Sequence, residues 1–363
     1  MLKQQKIFFD FLRFCIGSAK EIPDSLKEAD WKELYCIAQK QALLGVLFYG
    51  IRRLPKELAP EQKLLMQWMA MAEQIRNQNT RLFQDSVKVC QNFENEGFAN
   101  CILKGQGNAL LYPDPYMRTP GDIDIYLSGG RKKIIKYVER VCPNQVMRYH
   151  HVDFPVMKTA IEVHFTPSYM FYPIHNRRMQ KWFEKVMGEQ CKHRVSLPDG
   201  YGEIHVPTAS FNVIYILSHL YRHIFTEGIG LRQLLDYYFV LISDDLLVIR
   251  DRVQKDLKHL GLWKFAQAVM FVMKEVFGLS EDRMIAPMDE KEGRFLLDEI
   301  MRGGNFGQFD ERMGDKVDES KIHRYFRMNL RNLRFVKHYP TEAVCEPVFR
   351  TWFAGWKFIN RIK

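Results

Sequence analysis

Apolar and polar residues repeat along this chain with two different spacings, and the change of spacing divides it into three regions. Residues 1–98 and 207–363 place apolar side chains three or four positions apart, which is typical of amphipathic helices. Asp30 and Glu33 in the first region also have the spacing of a helix capping box. Residues 99–206 instead contain short β-prone runs separated by Gly and Pro. The pattern therefore predicts an α/β core between two helical regions.

The middle region predicts a definite order of elements. Strands are expected at residues 101–103, 123–127, 146–154 and 157–165, helices at 108–112, 132–141 and 178–187, and a hairpin turn at Asp199-Gly200. On a continuous strand over 146–154, His150 and His151 point to opposite faces. We therefore expect that these two histidines cannot both face one metal ion.

Three carboxylates form the most informative pattern in the middle region. Asp122 and Asp124 are two positions apart in a β-prone run, so both side chains are expected on one face of a strand. Two neighbouring acids repel unless a cation neutralises them, and Mg²⁺ prefers carboxylate oxygens. Glu162, with His164 on the same predicted face, is a third carboxylate if its strand pairs beside the first. Such a set can hold two metal ions about 3.5–4 Å apart, whereas the alternative is a set of solvated surface acids.

A glycine-rich turn precedes these acids. Lys104, Gly105 and Gly107 follow a predicted strand and precede a short helix, where backbone N–H groups and a lysine suit phosphate. The P-loop sequence is absent. Arg118 either binds a phosphate or anchors its own loop, and the sequence favours neither.

The predicted helix that contains His219 and His223 carries them four positions apart, as in zinc hydrolases. Leu220 follows His219, so the glutamate base of the zinc hydrolase motif is missing. Buried histidines with satisfied hydrogen bonds are the favoured interpretation.

Charge and cysteine content narrow the possible environment and partners. The net charge of +10 makes a polyanionic partner plausible, although the basic residues are scattered. Seven cysteines occur without a C-x-x-C pair, which favours reduced thiols in a cytoplasmic protein. No apolar run approaches the length needed to span a membrane.

Several of these motifs together resemble a known family. They are Leu103-Lys104-Gly105, Leu111-Tyr112-Pro113, Arg118 and Gly121-Asp122-Ile123-Asp124. The block is similar to a largely uncharacterised bacterial nucleotidyltransferase family within the DNA polymerase beta-like nucleotidyltransferase superfamily. One difference is that Gln106 separates Gly105 from Gly107, where the superfamily usually has a Gly-Ser or Gly-Gly pair.

The resemblance implies an α+β fold, with a small mixed sheet and flanking helices, and a nucleotidyltransferase activity. Mg²⁺ or Mn²⁺ on Asp122, Asp124 and Glu162 would assist transfer of NMP from an NTP to an acceptor hydroxyl, with release of pyrophosphate. The expected phosphate-binding residues are Lys104, Gly105, Gly107 and Arg118. The candidate residues on the acceptor side are His164, His219, His223 and Asp236. The acceptor is a small molecule, a protein or an RNA.

Two other functions fit the same sequence. One is a catalytically inactive protein on the same fold that binds a nucleotide or a macromolecular partner. The other is a basic RNA-binding module that uses the aromatic residues Tyr325, Phe326, Phe335 and Tyr339 near the C-terminus.

Overall fold

The computed structural model describes residues 3–313 and 320–360. Helices dominate the described residues, and six short strands lie in the middle of the chain. The α-helices are α1 (Lys3–Ile16), α2 (Trp31–Lys40), α3 (Leu44–Ile51), α4 (Gln62–Asn95), α5 (Gln106–Ala109), α6 (Arg131–Val141), α7 (Pro173–Gln190), α8 (Ala209–Thr226), α9 (Leu231–Leu241), α10 (Asp245–His259), α11 (Trp263–Phe277), α12 (Glu290–Gly303), α13 (Lys321–Val336) and α14 (Pro340–Ile359). The strands are β1 (Asn100–Ile102), β2 (Ile123–Leu127), β3 (His151–Asp153), β4 (Ile161–His164), β5 (Arg194–Ser196) and β6 (Glu203–His205).

The N-terminal helices begin and end near the predicted signals. The Asp30 side chain accepts hydrogen bonds from the backbone N–H groups of Lys32 and Glu33, which caps α2. In a complete capping box, the Glu33 side chain would accept a hydrogen bond from the Asp30 N–H. Here the Asp30 N–H donates instead to Gln4 Oε1, at 2.9 Å. After α4, Gly97 adopts a left-handed φ of 75°, which a glycine tolerates without steric cost.

A four-stranded mixed sheet forms the centre of the middle region, in the order β1-β2-β4-β3. The β2–β4 pair is parallel and the two outer pairs are antiparallel. Asp124 is the direct partner of Glu162 in the β2–β4 register. The strands β5 and β6 form a separate hairpin around Asp199-Gly200, where the sequence predicted a turn.

Two apolar clusters hold these elements in place. The smaller one packs the sheet against α4 and α6, through side chains such as Phe93, Ile125 and Ile134. The larger one joins the N-terminal and C-terminal helices around fully buried aromatics such as Phe8 and Tyr215. Crossing a bilayer would require a longer and more hydrophobic helix than any found among the described residues.

The predicted strand over residues 146–154 is only partly right, because just β3 (His151–Asp153) is a strand, and the difference matters for the site. The chain reverses direction there, since Met147 pairs antiparallel with Val152 and the Arg148 N–H donates to His151 O at 2.9 Å. The turn brings the imidazoles of His150 and His151 to the same side, with ring centroids 4.5 Å apart. The expectation that these two histidines cannot face one metal ion is therefore wrong.

Candidate active site

A cleft of about 600 Å³ lies beside β2 and β4 and contains the predicted carboxylates. Asp122, Asp124, Glu162 and Lys104 are among its lining residues. Asp122 directly precedes β2, Asp124 is the second residue of that strand, and Glu162 lies opposite Asp124 on β4. The parallel pairing of β2 and β4 thus brings together three acids that are up to 40 positions apart in sequence.

His164 joins the acids because it shares a strand face with Glu162. Its Nε2 atom lies 2.9 Å from Asp124 Oδ1 and 3.6 Å from Glu162 Oε2. One ligand atom each from Asp124, Glu162 and His164 lie within 4.8 Å of one another. Burial alone would lower the pKa of His164, but the hydrogen bonds and charges of Asp124 and Glu162 raise it.

The two aspartates have opposite pKa shifts. The negative charge of the neighbouring Asp124 is the largest cause that raises the pKa of Asp122 to about 6. Burial also acts to raise the pKa of Asp124, but Lys104 and His164 hold it well below the usual range. The repulsion between the two acids is what a divalent cation relieves. Carboxylate oxygens with one imidazole nitrogen are a donor set that fits such a cation.

Lys104 lines the cleft and is held there by two contacts. Its Nζ atom lies 2.9 Å from Asp124 Oδ2 and 3.1 Å from His219 Nε2. The next residue, Gly105, has a left-handed φ of 60° and directly precedes α5. Backbone rotation at Gly105 thus lets the chain turn sharply just after the lysine.

Of the predicted phosphate-binding residues, Lys104 lines the cleft, Gly105 and Arg118 line a smaller cavity beside it, and Gly107 is among the lining residues of neither. A Cβ atom at this position would lie 2.7 Å from Cγ1 of Val206, so the missing side chain lets α5 pack against the segment after β6. The structure gives Gly107 a packing role in place of the predicted phosphate contact.

Arg118 and Asp236 form a buried ion pair with each other. The Arg118 side chain donates from Nε to Asp236 Oδ1 at 2.8 Å and from Nη2 to Oδ2 at 2.7 Å. The Tyr112 hydroxyl donates to Asp236 Oδ1 at 2.7 Å. Of the two roles considered for Arg118, this geometry is that of a loop anchor. Asp236 has its oxygens occupied by Arg118 and Tyr112, so the structure does not support its prediction as an acceptor-side residue.

His219 and His223 both line the cleft on α8, as the acceptor-side prediction requires. Arg222, which sequence reasoning did not single out, connects them. Its guanidinium donates to His219 Nδ1 at 3.2 Å, His223 Nε2 at 3.1 Å and His150 Nε2 at 3.1 Å. Burial lowers the pKa of both imidazoles. The next cause is the positive charge of Lys104 for His219 and that of Arg222 for His223. Both histidines are therefore neutral, and they are buried with hydrogen-bond partners, as the favoured interpretation of the sequence expected.

The C-terminal helices contribute a wall of the cleft that the sequence did not predict. Arg324 from α13 and Phe349, Arg350 and Lys357 from α14 line it.

The predicted RNA-binding aromatics do not form one surface here. Phe335 and Tyr339 are buried in the larger apolar cluster, whereas Tyr325 and Phe326 are exposed. The His150-His151 doublet was the one sequence signal that could have indicated further site residues, once the intervening turn was recognised.

A small mixed sheet, paired acids on its parallel strands and a lysine turn beside them define a polymerase beta-like nucleotidyltransferase core. A family model described as "Uncharacterised nucleotidyltransferase" matches residues 27–278. The chain therefore belongs to this uncharacterised nucleotidyltransferase family, as the sequence motifs predicted.

The other comparisons add little to this assignment. No curated protein matches the chain. Among solved structures, it is similar to an antigenic nucleotidyltransferase-like protein from Paracoccidioides brasiliensis, with 14% sequence identity and a TM-score of 0.29. The match covers 50% of this chain and 92% of the other.

Proposed function

We propose that this protein transfers a nucleoside monophosphate from an NTP to an acceptor hydroxyl, with release of pyrophosphate, and that the reaction depends on a divalent metal. The observation that carries the proposal is the convergence of Asp122, Asp124 and Glu162 beside Lys104 at the floor of one cleft. Family membership supports nucleotidyl transfer in general, and the acids supply the chemistry that such transfer needs.

Asp122, Asp124 and Glu162 would hold Mg²⁺ or Mn²⁺, which when bound neutralises negative charge on the phosphates of the donor. His164 donates to Asp124 and thereby fixes the orientation of that carboxylate. Lys104 is close enough to the acids to exchange its present contact with Asp124 for a phosphate oxygen.

In the transfer itself, the acceptor oxygen attacks the α-phosphorus and the bond to the β-phosphate breaks. Glu162 takes the proton that the acceptor hydroxyl loses, and pyrophosphate leaves with the electron pair of the broken bond. His219 and His223 line the same cleft, where the guanidinium of Arg222 holds both imidazoles on the side at which the acceptor would bind. A small molecule, a protein and an RNA all remain suitable acceptors.

The test is incubation of the full-length protein with each labelled NTP, Mg²⁺ and a cell extract, followed by mass analysis of the molecule that gains a nucleotide. Asp124→Asn and Glu162→Gln should each reduce product formation by about 100-fold or more. Glu203→Gln is the matched control, since Glu203 is an exposed strand glutamate that pairs with Arg194 outside the cleft. Unchanged product formation in Asp124→Asn would refute the assignment of the acids.

A second candidate is a nucleotide-binding protein without catalysis on the same fold. The observation that favours it is the Gly105-Gln106-Gly107 turn, in which Gly107 serves helix packing and no serine follows Gly105. Both candidates require NTP binding that weakens when Asp122 or Asp124 is changed. Only formation of a nucleotidylated product separates them.

A further inference from the structure

A smaller cavity of about 50 Å³ adjoins the cleft and shares four of its polar residues. The shared residues are Lys104, Asp122, Asp124 and His219. A volume of this size holds a few water molecules or one phosphate group. The cavity thus lies directly beside the proposed metal-binding acids, on the side where α9 forms the wall.

Arg232 on α9 is a buried basic residue of this cavity with few hydrogen-bond partners. Its side chain is buried, with 8% exposure, and within the described part of the chain no carboxylate forms an ion pair with it. The one hydrogen bond observed runs from Nη1 to Thr119 O at 3.4 Å, and Nε has no partner among the described residues. Buried guanidinium groups are normally paired with an anion, because loss of water around an unpaired charge is costly.

Three further donors around the cavity also lack acceptors within the described residues. They are Asn108 Nδ2, Arg118 Nη1 and Gln233 Nε2, all from side chains that are at least nine-tenths buried. A buried donor without an acceptor is uncommon in folded proteins and needs an explanation. Each of these atoms is an N–H group, so the missing partner is an acceptor.

The charges around the cavity point to the same conclusion. Lys104 is paired with Asp124, and Arg118 is paired with Asp236. Among the described residues, no carboxylate forms an ion pair with Arg232; Arg118 acts on it as a like charge, and Asp236 and Asp122 attract it without an ion-pair contact. A divalent cation on the acids would make this region more positive still, so the complementary ligand is an anion with several oxygen atoms.

We propose that this cavity binds the terminal phosphate of an oligophosphate, with Arg232 as the main contact and Asn108, Arg118 and Gln233 as supporting donors. The inference rests on the proposed function, in which the oligophosphate is the triphosphate of the NTP donor. It assigns α9, which lies outside the middle region, to recognition of the pyrophosphate leaving group. Arg232 is then a residue that contacts the substrate, while Arg118 keeps its anchoring pair and offers only its remaining Nη1 group.

The experiment measures binding of inorganic pyrophosphate to the full-length protein by calorimetry, with Mg²⁺ present and AMP as a ligand that lacks the terminal phosphates. Arg232→Met should weaken pyrophosphate binding about 10- to 100-fold and leave AMP binding unchanged. Arg232→Lys keeps the charge and should recover part of the affinity. Arg331→Met is the matched control, because Arg331 is also buried, with 7% exposure, but lines neither the cleft nor this cavity.

Thermal unfolding without ligand separates an anion site from a structural anchor. Removal of an unpaired buried charge should leave the melting temperature of Arg232→Met equal to or above that of the unchanged protein. A lower melting temperature, together with an equal loss of pyrophosphate and AMP binding, would mean that Arg232 only anchors Thr119, and would overturn the inference. Pyrophosphate binding that is undetectable, or unaltered by Arg232→Met, would also overturn it.

The outcome is independent of the transfer assay. Pyrophosphate binding that depends on Arg232, combined with full product formation by Asp124→Asn, would leave the anion site valid and refute the proposed catalytic acids. Pyrophosphate binding that does not depend on Arg232, combined with lost product formation in Asp124→Asn, would refute the anion site and leave the catalytic acids valid.

Discussion

Replacement of Asp236 by Asn should destabilise the protein strongly, because Asp236 balances a buried guanidinium. Arg118 is 3% exposed and Asp236 is 5% exposed, so neither charge can be compensated by water. Two hydrogen bonds of 2.8 and 2.7 Å join the two side chains. An amide in place of the carboxylate keeps the shape but leaves Arg118 as an uncompensated buried charge.

The expected loss is about 3–5 kcal/mol in the free energy of unfolding, which is typical when one partner of a buried pair is removed. For a chain of 363 residues, the average unfolding entropy converts this loss to a decrease of roughly 4–7 °C in melting temperature. Burial acts to raise the pKa of Asp236, but Arg118 lowers it overall, which agrees with a carboxylate that stays ionised in the folded state.

Denaturant unfolding followed by circular dichroism measures the change, with Glu96→Gln as the control. Glu96 and Arg140 are also 2.7 Å apart, but their side chains are 44% and 67% exposed. This exposed pair should contribute no more than about 1 kcal/mol. The comparison isolates the effect of burial at an equal distance.

A loss below about 1 kcal/mol in Asp236→Asn would refute the argument that burial makes this pair structural. If such a variant kept its stability but lost product formation, Asp236 would belong to the acceptor side, as the sequence first suggested. The double variant Arg118→Met/Asp236→Leu removes both charges and should be more stable than Asp236→Asn.

Three other predictions follow from single contacts. Gly107→Ala should destabilise the fold by about 1–3 kcal/mol in denaturant unfolding, because its Cβ would lie 2.7 Å from Val206, and addition of Val206→Ala should recover most of that loss. Burial raises the pKa of Glu346 to about 7, so the folded state retains a proton that the unfolded state releases. The stability of the unchanged protein relative to Glu346→Gln should therefore fall as the pH rises from 5 to 8, and a parallel pH dependence of the two proteins would contradict this. Asn79→Ala should lower the free energy of unfolding by about 2–4 kcal/mol, because the buried Asn79 amide donates to the Tyr116 and Arg118 carbonyl oxygens at 2.8 Å each, and a melting temperature within 1 °C of the unchanged protein would contradict that role.

Local sequence was sufficient to predict the acids and most of the elements around them. Asp122 and Asp124 could be recognised because residues two apart on a strand share a face. Glu162 was expected to be a third carboxylate if its strand paired beside that of Asp124, and the structure pairs these two residues directly. The turn within residues 146–154 could not be predicted in this way. A tight turn changes only a few backbone angles, and the apolar residues on either side of it are the same as those of a continuous strand.

The tertiary structure alone decided which polar groups became partners. Arg118 meets Asp236 across 118 positions of sequence, and Arg222 meets His150 across 72. The same packing leaves Arg232 without a carboxylate in ion-pair contact, within the part of the chain that the structure describes. The spacing of side chains determines which face of an element is buried, but the partner of a buried charge depends on which elements fold against that face. This is why the sequence by itself determined the acidic centre of the site, while the basic residues that surround it emerged only from the packed helices.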